Sequence, residues 1–96
     1  MIVGGGLAGG YQSVGVSQHH KDLVSKNIAK INTAVGGHAT SYTIDKAWSQ
    51  VVAGTNYHFN LTSNDNHKYT VTIYEPLPHT HSPAEVSSGS VGHSGP

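Results

Sequence analysis

The chain has 96 residues, 35% of them hydrophobic and 10% charged, and its five basic and five acidic side chains cancel. That length supports one small core, and the charge balance excludes the basic surplus that nucleic acid or an anionic membrane requires. With no cysteine there is no disulfide framework, thiolate zinc site or cysteine nucleophile, so one helix packed on a sheet is the expected economy.

Residues 1–16 are glycine-rich without helical periodicity and read as a flexible N-terminal trunk. From Ser17 the pattern changes. Leu23, Val24, Ile28, Ile31 and Val35 recur at spacings of three and four, with Lys21, Asp22, Lys26 and Lys30 mostly on the other side. Ser17 as N-cap and Gly36-Gly37 as the stop predict one helix within 17–35, from about Gln18 to Ala34.

After Gly37 the period falls to two. Tyr42, Ile44 and Trp48 share one face of a first strand over 39–49; Tyr57, Phe59 and Leu61 mark a second; Tyr69, Val71 and Ile73 mark a third. Ala53-Gly54-Thr55 separates the first two, and Asn64-Asp65-Asn66-His67 has the chemistry of a hairpin turn. Pro76 and Pro78 close the third strand, since neither donates to a ladder. A further strand near 84–91 rests on Val86 and Val91 alone, and residues 92–96 read as a disordered tail. The expected fold is one α+β domain over 1–96, with the antiparallel sheet in 39–91. Asn60-Leu61-Thr62 matches the N-glycosylation sequon, a pattern that arises often by chance.

No apolar run reaches the roughly 18 residues of a membrane span. Met1–Gly10 lacks the basic region and sustained apolar stretch of a signal peptide. The cytoplasm is the expected setting, and a secreted mature chain the alternative.

Eight histidines invite a metal or catalytic reading. His79-Thr80-His81 can place two imidazoles on one side, yet zinc needs three or four converging ligands and nothing fixes the third. Exposed histidines in a polar sequence are therefore expected, with no metal and no cofactor. No G-x-S-x-G elbow and no carboxylate pair is present, and Gly4-Gly5-Gly6 leads to no P-loop lysine. The chain is not expected to be an enzyme.

Gln50-Val51-Val52-Ala53-Gly54 is more specific. Turns favour Gly, Asn, Asp and Ser, so Val-Val-Ala at a hairpin tip is a poor choice for solubility. Either the valines end a strand and are partly buried, or they form an apolar tip made to enter another protein's groove. The residues alone leave both open.

Gln50, Val52 and Gly54 form Q-x-V-x-G, and the run Gln50 to Tyr57 resembles the stefins, the intracellular branch of the cystatins. The resemblance covers about residues 4–78 and keeps the family's order: N-terminal glycine, helix, Q-x-V-x-G hairpin, then Leu77-Pro78. It implies a helix gripped by a curled antiparallel sheet of four to five strands. It also implies reversible, tight-binding, competitive inhibition of papain-like cysteine peptidases such as papain and the cathepsins. The implied protease-binding positions are Gly9 or Gly10, then Gln50, Val51, Val52, Ala53 and Gly54, then Leu77 and Pro78. Counting back from the helix favours Gly9, with Gly10 beside it; the Met-Ile-x-Gly-Gly start favours Gly4 or Gly5. Residues 84–91 depart from the family in being rich in serine and glycine. A monomer is implied, with a domain-swapped dimer as the alternative. A histidine-rich metal-binding protein or a structural protein on the same fold remains the competing reading, because fold does not fix function.

Overall fold

A computed structural model describes residues 10–96. The chain runs β1 (Gln12–Val14), α1 (Gln18–Lys26), α2 (Ile28–Val35), β2 (Tyr42–Val52), β3 (Gly54–Ser63), β4 (Lys68–Glu75), a 3-10 turn at Pro78–Thr80 and β5 (Glu85–Val91). The five strands make one sheet in chain order, every neighbouring pair antiparallel. The fold is α+β. Among the described residues no helix is long and apolar enough to cross a membrane.

Ser17 caps α1 with a reciprocal pair. Its hydroxyl accepts from the His20 backbone N–H at 3.2 Å, while its own N–H donates to His20 Nδ1 at 3.0 Å. A histidine thus takes the place usually held by Glu or Gln in a capping box. The single helix expected over 17–35 is instead two, broken at Asn27. The buried Asn27 side chain donates to the Leu23 carbonyl at 2.7 Å, and its backbone N–H turns to Val24 at 3.0 Å. Asparagine offers the backbone this local alternative to the helical ladder. The apolar stripe survives the break, because Leu23, Val24 and Ile31 all enter the core beside Phe59, Leu61, Val71 and Ile73. The second segment stops at Gly36, as its sequence indicated.

Strand β2 contains a bulge. Ile44 lies opposite Leu61 and Lys46 opposite Asn60, so Asp45 is the extra residue. One inserted residue exchanges the faces of all that follows. Tyr42 and Ile44 pack toward the helices, Ala47 takes over that face, and Trp48 is turned to the other side against His58, ring centroids 5.2 Å apart. The expectation that Trp48 shares the face of Tyr42 and Ile44 is corrected by this bulge.

That second face is polar and covered. His58, Asn60 and Thr70 are buried there, and residues 92–96, expected as a disordered tail, lie across them. The Thr70 hydroxyl donates to the Gly92 carbonyl at 2.7 Å, and the Ser94 N–H meets Thr70 Oγ1 at 3.0 Å. His58 Nε2 pairs with the Ser94 carbonyl at 2.8 Å and His93 Nε2 with the Leu61 carbonyl at 2.9 Å. The tail therefore crosses from β4 over β3 and reaches Trp48 at Gly95. Asn60, the sequon asparagine, is 8% exposed and beneath this cover.

Two further segments differ from expectation. Residues 12–14, assigned to the flexible trunk, pair with Trp48 and its neighbours as an edge strand. The serine- and glycine-rich 84–91 does form β5. A Cβ at Gly89 would lie 2.9 Å from both Ala34 Cβ and Val35 Cγ1, so a bare glycine lets α2 settle directly on that strand.

Candidate functional site

The end of the sheet carrying the β2–β3 hairpin gathers most of the residues singled out by sequence. Val51 faces Thr55 and Val52 faces Gly54, leaving Ala53 alone at the apex. Gly54 makes so tight a return possible: its φ is +110°, and a Cβ there would come 2.5 Å from the Glu75 carbonyl oxygen. Only glycine meets both conditions. The ladder continues to the apex, so β2, at Tyr42–Val52, has the length expected for 39–49 but lies three residues further along the chain. Val51 is 86% exposed and Val52 42%. Both valines end a strand, as one of the two readings has it, with Val52 partly covered and Val51 almost wholly in solvent.

The second loop lies beside the first. Thr55 pairs with Glu75 at the end of β4, and Pro76 to Pro78 follow directly. Leu77 is 40% exposed, and its carbonyl accepts from both the Thr80 hydroxyl at 2.7 Å and the Thr80 N–H at 3.1 Å. With Pro78 at the first position of the 3-10 turn, the loop is fixed by local bonds rather than by packing. Between the loops lies a groove of about 480 Å³ lined by His19, Gly54, Thr55, Glu75, Leu77 and Ala84, among others.

The N-terminal segment reaches the same end. Gln12 lies opposite Ser49 and Val14 opposite Ala47, so β1 begins at the Gln50 end of its pairing with β2. Gly10 is exposed with φ +79°. Gly9 lies outside the described residues.

Side chains from α1, β3 and β4 brace this end. Glu75 accepts from the Tyr57 hydroxyl at 3.2 Å and meets His19 Nε2 at 2.8 Å. Burial, with the Glu75 charge second, holds the Tyr57 phenol above its ordinary pKa, so it remains a donor across the neutral range. Asn56 donates to Gln50 Oε1 at 2.8 Å, and the Tyr74 hydroxyl donates to the Ala53 carbonyl. Gln50, Asn56 and Tyr57 belong to the Gln50–Tyr57 run, whereas His19, Tyr74 and Glu75 carry no motif; what brings the two sets together is the register Asn56 to Tyr74, which hydropathy does not specify.

His79 and His81 are exposed on and just after the 3-10 turn. Among the described residues no three His, Asp or Glu side chains converge in a way that could hold a metal. The described residues bring to this end a narrow apolar apex, a Leu-Pro loop held by local hydrogen bonds and Gly10 ahead of β1. Compared with known proteins, the chain matches no family model and no curated protein.

Proposed function

We propose that this chain is a reversible, competitive, tight-binding inhibitor of papain-like cysteine peptidases, acting without chemistry of its own. The observation that carries the reading is the exposed Val51-Val52 pair at a glycine-closed hairpin of sequence Gln50-Val-Val-Ala-Gly54. An apolar apex this narrow suits a cleft, and it gains most of its affinity by leaving water.

In this mechanism the hairpin, Leu77-Pro78 and the Gly9-Gly10 segment enter the peptidase cleft side by side. They block access to the catalytic thiolate without laying a scissile bond across it. Rigid loops bind with less ordering cost, which is the role assigned to Pro78 and to the Thr80 bonds. Val51, Val52 and Leu77 supply the apolar area. A cytoplasmic setting belongs to the same proposal, in keeping with a sequence that contains no cysteine.

Titration of papain with the monomeric protein tests this. Inhibition should reach completion near one equivalent, be relieved by dilution, and leave trypsin and thermolysin untouched. No inhibition, or inhibition that dilution does not reverse, would overturn it. The monomer fraction is specified because a swapped dimer exchanging strands through the β2–β3 hairpin would bury the apex.

A further inference from the structure

We propose that Tyr74 is a positioning residue that sets the shape of the hairpin apex before binding; the inference rests on the inhibitor reading above. Ala53 is the one apical residue outside the β2–β3 ladder, so strand pairing does not restrain it. Its carbonyl is instead held by the Tyr74 hydroxyl. Tyr74 reaches it because it stands opposite Asn56 in the β3–β4 register, one rung from the Thr55–Glu75 pair.

The approach is close on two counts. A Cβ at Gly54 would lie 2.9 Å from Tyr74 Oη and 2.5 Å from the Glu75 carbonyl oxygen, so β4 meets the apex with both backbone and side chain. The other flank is held by Asn56, which donates to Gln50. Each of three adjacent strands thus contributes one side chain to the apex: Gln50 from β2, Asn56 from β3 and Tyr74 from β4. Val51, 86% exposed, has almost no packing of its own to hold it. Hydrogen bonds, more than packing, fix the direction in which Val51 points.

The consequence belongs to dissociation. An apex already held in its bound shape loses little freedom on entering a cleft, and one released from β4 must be ordered each time. The preorganisation should therefore appear as slower release, with encounter unaffected.

Tyr74→Phe removes the hydroxyl and keeps the ring. The Ala53 carbonyl is exposed enough for water to replace the lost donor, so the melting temperature should not move. Dissociation from papain should quicken by about five-fold at an unchanged association rate. In the free protein, NMR order parameters of residues 51–54 should fall while those of the rest of β2 and β3 stay as they were. Tyr74→Leu, which removes the ring as well, should match the Phe variant in dissociation if the hydroxyl is what acts. Failure of the parent protein to inhibit papain would end the inhibitor reading, leaving the order parameters to report the restraint by themselves. A parent that inhibits, with a Tyr74→Phe variant that releases papain at the parental rate, overturns the positioning role whatever the order parameters show.

Discussion

Val52 occupies the last rung of β2 with nearly half its surface in water, so the fold asks little of it and the proposed interface a great deal. In Val52→Asp a carboxylate must leave water for a dry cleft without a partner. A hot-spot loss of about 2 kcal/mol corresponds to roughly thirty-fold weaker papain binding, while the melting temperature should stay within about 3 °C of the parent. A collapsed melting curve would instead make Val52 a core residue. His20 presents the opposite case, buried among Tyr57 and Phe59. Burial first, then the neighbouring His19, lowers its pKa, with Glu75 opposing. Between the ordinary value of about 6.5 and that lowered one, the unfolded chain binds a proton that the folded chain refuses. Stability is therefore fully present above that window and declines as pH falls through it. The geometry agrees, since protonation would remove the Nδ1 acceptor that serves the Ser17 N–H. We expect the melting temperature to drop between pH 7 and pH 5, and to drop less in His20→Gln, which keeps a capping side chain at that position. Equal slopes would locate the acid sensitivity elsewhere.

The C-terminal strap is the element whose role differs most from its composition. Removing residues 92–96 uncovers Trp48, His58, Asn60 and Thr70 together. Water replaces the lost hydrogen bonds, so the expected cost is moderate, about 1–3 kcal/mol. The emission of Trp48, the single tryptophan, should shift to the red. An unmoved emission maximum would mean the strap does not cover that face. Hydropathy gave no warning of it, because a polar tail over a polar face has the same pattern as a polar tail in water. The helical stripe, three of the strands and the Asn64–His67 turn were legible, since each is written in the spacing of side chains one after another. β1 was not: Gln12–Val14 is held by backbone pairing to β2, which needs no alternation. The break at Asn27 and the bulge at Asp45 escaped for a related reason. Each is decided by one residue whose hydrogen bonds or register exist only once its neighbours are in place.

At the scale of the molecule, the apical residues are the portion of the site that sequence could name. Gln50 to Gly54 and Leu77-Pro78 are contiguous, so their character survives as motif. Tyr74, Asn56 and Glu75 become apical only through strand register. The charge balance of the whole chain, five against five, carries its own expectation. Without a long-range field to steer encounter, association with papain should change little, about two-fold or less, between 50 and 500 mM salt. A steep decline would reveal a local charged patch at the interface. The strap has a topological consequence as well. The His58 ring meets Tyr11 just ahead of β1, 6.0 Å between centroids, and bonds Ser94 in the segment that follows β5. Among the described residues, the approach to β1 and the segment after β5 are therefore neighbours, meeting at one side chain on the sheet's polar face. A short linker from Pro96 to Tyr11 in place of residues 1–10, with the chain opened at Asn64–His67, rearranges the order of strands along the polypeptide while asking none of them to change partner.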